Sequence, residues 1–176
     1  MKNLLHGERV RLRALEPEDL SLLYQWENDT ESWSVSNTVT PFSRHILQQY
    51  LEQAHDEDLW SAKQLRLMID VPKSKVTIGS IDLFDFDPLN LRAGIGILIA
   101  EKEYRNKGFA AESLGILIRY ARERIGLHQL YCSIPADNEA SIRLFKKQGF
   151  TQTGTQKNWI KDGNQWMDVL FFQLIL

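Results

Sequence analysis

A single cysteine, Cys132, in 176 residues excludes an internal disulfide. No apolar run approaches the ~20 residues that a membrane span requires. Neither sign of charge dominates. The 21 Lys and Arg against 23 Asp and Glu leave a formal net charge of −2, which supplies no electrostatic drive toward nucleic-acid phosphates. The four histidines, His6, His45, His55 and His128, have no ligand spacing with one another or with Cys132, so no metal site is expected. No Gly-x-Ser-x-Gly nucleophile elbow occurs. Cys132 lies in an apolar run, where a thiol packs rather than reacts. Gly94-Ile95-Gly96 lacks the third glycine of a dinucleotide fingerprint and lies within a strand instead of after one. Residues 1–9 carry no signal-peptide apolar stretch. What these absences leave is one domain, residues 1–176, expected in the cytoplasm and with neither nucleic acid nor membrane as partner.

Hydrophobic patterning divides the chain into short elements. Residues 9–14 alternate charged and apolar, which predicts a half-exposed strand. Glu16-Pro17-Glu18-Asp19 opens a helix that runs to about residue 28, with proline near its first position and acids in its first turn. Residues 29–42 read as a loop whose Trp33, Val35, Val39 and Phe42 fold against the body. Ser43 suits an N-cap, followed by Ile46, Leu47, Tyr50, Leu51 and Ala54 at helical spacing. Strands are predicted over 65–71, 76–84 and 91–100, with turns at 72–75 and 85–90. A helix of about 16–18 residues starts at Lys107 or Gly108 and stops at Gly126. A strand over 129–134, a helix over 138–148 capped by Gly149, and two strands over 150–159 and 165–174 complete the chain. Lys161-Asp162-Gly163-Asn164 joins that last pair, with Asp-Gly as a hairpin signal. The order fits neither strict βα alternation nor an all-β pattern. A mixed α/β protein, one sheet covered by helices, fits it.

Residues 94–111 carry most of the chemistry. An apolar strand runs into a polar turn with Arg105, Lys107 and Gly108, and a helix starts at once. Glycine lets the backbone approach a ligand, and the first turn of a helix offers unpaired N–H groups at the positive end of its dipole. A phosphate or pyrophosphate is the natural guest.

Arg105-Asn106-Lys107-Gly108-Phe109-Ala110 resembles the Arg/Gln-x-x-Gly-x-Gly/Ala signature of the GNAT family of N-acetyltransferases. Asn138-Glu139-Ala140-Ser141-Ile142-Arg143-Leu144-Phe145, followed by Gly149-Phe150, is similar to that family's second signature, Asn-x-x-Ser-x-x-Leu-Tyr-x-x-x-Gly-Phe. The resemblance implies the acyl-CoA N-acyltransferase fold, a mostly antiparallel mixed sheet splayed at the cofactor site, and acetyl-CoA as cosubstrate. It implies that Arg105, Asn106, Lys107, Gly108, Phe109, Ala110 and Ala111 bind the pyrophosphate. It also implies that the strand at Ile97, Leu98 and Ile99 pairs with the pantetheine amides and that Asn138 touches the cofactor. Ser141 lies one helical turn further on, so it can face the same side. Residues 9–13 with Glu16-Pro17-Glu18-Asp19 look like the branch of ribosomal-protein N-terminal and spermidine acetyltransferases. Residues 81–85 followed by Arg92-Ala93 are similar to its spermidine members. Relatives commonly form dimers or larger assemblies, so a homo-oligomer is implied.

Phe145 departs from the pattern. The family often has tyrosine here, protonating the departing thiolate, and phenylalanine has no proton to give. A thiol with pKa near ~8.5 is a tolerable leaving group without an acid. Ser141 is the candidate substitute, ahead of Tyr131 and Tyr104. Asp82, Asp85 and Asp87 lie on and after the strand that borders the acceptor cleft in this fold. An amine of Lys-like pKa near ~10.4 is neutral in about one molecule in 10³ at pH 7, so a carboxylate that binds the cation and takes its proton is useful. Asp82 is the candidate base. Asp82, Asp85 and Trp33 are candidates for holding the acceptor. Glu27, Asp29 and Glu31 form either an acidic mouth or a solvated helix end. The acceptor is a primary amine, a polyamine such as spermidine or alternatively a ribosomal-protein N-terminus. A catalytically inactive acyl-CoA-binding module is the contrasting reading.

Overall fold

The structure, a computed structural model, describes residues 3–36 and 38–176, and only the backbone of Ser34 and Val35. The expected packing of Val35 therefore lies outside the described residues. Seven strands form one sheet: β1 (Arg11–Ala14), β2 (Leu65–Val71), β3 (Val76–Asp87), β4 (Arg92–Ile99), β5 (Gln129–Pro135), β6 (Thr151–Asp162) and β7 (Gln165–Ile175). Their order is β1-β2-β3-β4-β5-β7-β6. Every neighbouring pair is antiparallel except β4 and β5. The helices are α1 (Leu20–Glu27), α2 (Thr30–Ser36), α3 (Arg44–Asp56), α4 (Leu59–Ala62), α5 (Phe109–Tyr120) and α6 (Glu139–Lys147). The mixed, mostly antiparallel sheet covered by helices is the predicted architecture.

Alternation along β2 sends Leu67, Ile69 and Val71 to one face and Met68 to the other. The first face packs against α5 through Leu114, Leu117 and Ile118, and against Phe145 of α6. On the second face, Leu23 and Trp26 of α1 and Leu47 and Leu51 of α3 close over Met68. A fully buried leucine such as Leu114 contributes about 2 kcal/mol of apolar transfer energy. α5 continues into a wider π turn, Ala121–Ile125, before stopping at Gly126.

Three local features depart from expectation. Residues 29–42 contain the helix α2, and α4 precedes β2. β3 does not end at Phe84 but passes through an irregularity between Phe84 and Asp87, where Asp85 takes φ +49°. Asp87 closes the following turn, accepting from the amides of Leu89 and Asn90 at 3.0 and 2.9 Å. Ser43 caps α3 as expected, accepting from Ile46 N at 3.2 Å.

The arginines of β1 build the sheet edge. Asp70 accepts from Arg11 Nη2 at 2.7 Å, Arg13 Nε at 2.9 Å and Thr77 Oγ1 at 2.8 Å. Arg13 also forks onto Asp19 at 2.7 and 2.9 Å. Burial raises the Asp70 carboxyl, but the hydrogen bonds from Arg11 and Thr77 and the charge of Arg13 outweigh it and hold Asp70 below the usual carboxylate range. A depressed carboxyl stabilises the fold above its unfolded pKa, and that contribution is lost as pH falls through the folded value. Asp70→Asn is therefore expected to lower stability at neutral pH and to flatten its decline below about pH 4, which urea unfolding followed across pH checks.

Candidate active site

β4 and β5 share a ladder over only three residues each: Arg92 with Gln129, Ala93 with Leu130 and Gly94 with Tyr131. Beyond them β4 stays on β3 as far as Ile99, and β5 stays on β7 as far as Pro135. The two strands part, and every second residue of β4 between Ile95 and Ile99 aims its N–H and C=O into the gap. This is the geometry in which Ile97, Leu98 and Ile99 can pair with an extended ligand. Phe84 lies across β4 at the point of parting. A Cβ at Gly94 would collide with that ring, so glycine is what lets it lie there. Tyr131 meets Phe84 edge-on at 6.2 Å between ring centroids and stacks on Phe171 at 5.5 Å. Burial pushes its hydroxyl above the usual tyrosine range, with Asp85 adding to the effect, so Tyr131 stays protonated.

The gap opens toward the loop before α5. Asn106 takes φ +58° and Gly108 φ +85°, which turns successive amides toward a common point. Among the described residues, the N–H groups of residues 106–111 find no backbone or side-chain acceptor, whereas Glu112 N returns to Gly108 O at 3.1 Å. Free amides grouped at a helix N-terminus suit an anion. Arg105 has a different position from the charge donor expected of it. Its guanidinium donates to the carbonyls of Ile99 and Ala100 at 2.8 and 3.1 Å, tying the loop to the end of β4. Lys107 is exposed, and its carbonyl accepts from Arg9 Nη1 at 2.9 Å.

α6 starts beside the gap. Asn138 caps it by accepting from Ser141 N at 3.2 Å. Phe145 is buried, 5.0 Å from Phe150 in an edge-to-face contact, and belongs to the core beneath α5. Cys132 is buried too, and burial alone pushes its thiol up to about 12, which removes it as a nucleophile. Tyr104 hydrogen-bonds Ser74 at 3.2 Å on the β2–β3 turn.

On the face opposite α5, Asp82 and Phe84 stand side by side, paired across the ladder with Gly96 and Gly94. Both Asp82 oxygens accept from Arg66, at 2.7 Å from Nε and 3.1 Å from Nη2. Arg66 also holds Glu27 at 2.7 Å and lies over the Tyr50 ring. Glu27 is thus an ion-pair partner inside the fold. Asp85 is exposed at the irregularity of β3. Two cavities flank the parted strands. The larger, of about 800 Å³, is lined by Trp33, Val39, Pro135, Asn138, Trp159 and Asp162, among others. The smaller, of about 380 Å³, is lined by Trp26, Asp29, Leu98, Glu101 and Arg105, among others. Trp33 and Asn138 are thereby brought together, as are Leu98 and Arg105. Asp82, Asp85 and Ser141 line neither cavity.

Trp159 is the residue that the sequence pattern did not disclose. Three residues of β6 oppose Asp168 of β7, since Gln156 pairs with Val169 and Ile160 with Met167. Asp168 clamps this bulge, accepting from Asn158 N at 2.9 Å and Lys157 Nζ at 2.7 Å, and Asn158 adopts φ +50°. A bulge re-aims side chains, and here the exposed indole of Trp159 becomes a wall of the larger cavity. The only sequence signal is Asn158, a residue type that tolerates the left-handed region.

A family model for the acetyltransferase (GNAT) domain matches residues 9–151, and the chain belongs to that family. The protein is an acetyl-CoA-dependent N-acetyltransferase. It is 28% identical over 171 residues to the uncharacterized N-acetyltransferase p20 of Bacillus licheniformis, covering 97% of this chain and 95% of that one. It is 26% identical over 148 residues to the spermidine N(1)-acetyltransferase of Escherichia coli, covering 82% and 74%. The spermidine N-acetyltransferase of Vibrio cholerae, solved in complex with CoA and spermine, superposes with a TM-score of 0.85 at 24% identity over 96% of each chain, which establishes the shared fold.

Gly108→Ala forces a Cβ into φ +85° and to 3.1 Å from the Arg9 guanidinium. A non-glycine residue there costs about 1–2 kcal/mol, so CoA affinity measured by titration calorimetry is expected to fall about tenfold with helix content retained by circular dichroism.

Proposed function

We propose that the enzyme acetylates a primary aliphatic amine of the polyamine class, with the larger cavity as the acceptor site. The observation that carries this reading is the lining of that cavity, where the indoles of Trp33 and Trp159 meet the carboxylates of Asp137 and Asp162. Aromatic faces and carboxylates together suit an alkylammonium chain. The similarity to spermidine acetyltransferases supports the same acceptor class.

The proposed reaction is direct transfer. The neutral amine attacks the thioester carbonyl carbon, the carbon–sulfur bond breaks, and the thiolate leaves with the coenzyme. Residues 106–111, the parted segment of β4 and Asn138 hold the cosubstrate, and positioning supplies most of the acceleration. N–H groups aimed into the gap polarise the carbonyl. Asp82, which lines neither cavity and is held by Arg66, is proposed as the base only through a chain of waters from the larger cavity, using the lone pairs that the Arg66 fork leaves free. Asp82→Asn is expected to lower kcat/KM for spermidine by about 10²-fold with CoA affinity unchanged. Unchanged kcat/KM with altered stability assigns Asp82 to the fold alone.

Phe145 sits in the core, so the thiolate leaves without a hydroxyl from that position. Phe145→Tyr is expected to reduce thermal stability and to leave kcat within about threefold, because it buries a polar group instead of supplying an acid. Ser141→Ala and Tyr131→Phe, compared by kcat, separate the two remaining donors. Trp159→Ala is expected to raise the spermidine KM about tenfold with kcat little changed, as loss of a cation–π wall predicts.

Val39, Ile160, Met167 and Val169 in the same cavity favour a second acceptor, a peptide N-terminus whose first side chain they would hold. Thiol release from acetyl-CoA with spermidine, spermine, aminoglycosides and peptides beginning with Ala or Ser decides between them. Turnover of peptides alone contradicts the polyamine reading, and CoA binding with no turnover on any amine indicates an inactive module.

A further inference from the structure

Arg9 touches the loop before α5 and the first turn of that helix at several points. Its Nη1 donates to Lys107 O at 2.9 Å, its Nε to Glu112 Oε2 at 2.9 Å, and its guanidinium carbon lies 4.7 Å from the centre of the Phe109 ring. Glu112 Oε1 is taken by the backbone amides of Arg9 and Val10 at 2.8 and 3.3 Å. The turn that brings these amides in depends on Gly7, where a Cβ would collide with Glu112 Oε1. The chain therefore builds a closed contact between the segment before β1 and the first turn of α5.

Glu112 presents a problem that this contact solves. It stands in the first turn of α5, one turn beyond Gly108, and is ionised there: burial raises its carboxyl, but the hydrogen bonds from Arg9 and Val10 outweigh that and lower it. A carboxylate in the first turn satisfies the helix dipole, and in doing so it opposes any other anion at the same helix end. Its charge must be cancelled for the loop amides to attract a pyrophosphate.

We propose that Arg9 is a positioning residue of the cosubstrate site: it cancels the Glu112 charge at the N-terminus of α5, which would otherwise oppose an anion on the amides of residues 106–111. The inference rests on residues 105–111 being the pyrophosphate site. It makes Arg9, 96 residues before Arg105 in the chain, the more important cation for that loop, since Arg105 is committed to the carbonyls of Ile99 and Ala100.

The experiment is titration of CoA into the full chain as wild type, Arg9→Gln, Glu112→Gln, the double variant and Arg9→Lys, at low and high salt. Arg9→Gln is expected to weaken CoA binding about tenfold at low salt, and the penalty shrinks at high salt because it is a charge effect. The double variant is expected to bind within about threefold of Glu112→Gln alone, since removing the carboxylate removes what Arg9 cancels. Arg9→Lys keeps the charge and is expected to retain most of the affinity, and it serves in place of Arg9→Gln where that variant fails to fold. Unchanged affinity in Arg9→Gln overturns the proposal. So does a double variant as weak as Arg9→Gln, or a penalty independent of salt, either of which marks a purely structural contact. Gly108→Ala in the same series separates this from the site reading: if it binds CoA like wild type, residues 105–111 are not the pyrophosphate site.

Discussion

Strands β4 and β5 are parallel neighbours for three residues and then separate, and the candidate active site depends on that separation. A parallel pair held along its length would have spent its backbone groups on itself. Here β4 remains anchored to β3 on one side and β5 to β7 on the other, so both edges of the gap are rigid. Phe84, Tyr131 and Phe171 fill the face at the point of parting, and the bare Gly94 makes room for the first of them. The amides that open into the gap need no reorganisation to meet a ligand, which is the condition for electrostatic preorganisation.

The two faces of the sheet divide the labour. On the α5 face, apolar burial extends from β1 to β7 and takes in Phe145, so the position where relatives of this family often carry a tyrosine is here part of the core. On the other face, charge is handled in closed sets: Arg66 with Asp82 and Glu27, Arg13 with Asp19 and Asp70. The carboxylates that line the larger cavity, Asp137 and Asp162, come from the loop before α6 and the end of β6. In the proposed reading, acceptor recognition falls to the C-terminal hairpin, α2 and the loop before α6, and cosubstrate binding to β4, α5 and Asn138.

Much of the fold was legible because its signals are local. Ser43, Gly108 and Gly149 marked helix ends, and Asp162-Gly163 marked the last hairpin. The strand at 94–99 and the loop at 105–111 were legible together because the loop chemistry requires adjacent residues. α2 was not, since Thr30–Ser36 has little helical propensity and no apolar period longer than two turns. α4 is four residues long and is held by Asp58 accepting from two amides, a cap that reads equally as a turn. Arg66 and Arg9 looked like ordinary strand and surface charges. Their roles depend on Asp82, Glu27 and Glu112, which folding brings to them from distant parts of the chain, and no spacing in the sequence encodes those meetings. Trp159 was hidden because a bulge changes which face a strand residue occupies.

Acetyl-CoA is proposed to lie in the gap between β4 and β5 with its pyrophosphate on the amides that precede and open α5. Amide hydrogen exchange measured residue by residue, with and without CoA, checks this placement. CoA is expected to slow exchange at residues 106–111 and at alternate residues between Ile95 and Ile99, while the β6–β7 tip around Asp162 is little affected. Protection confined to other segments, with residues 106–111 exchanging as in the free protein, would contradict it.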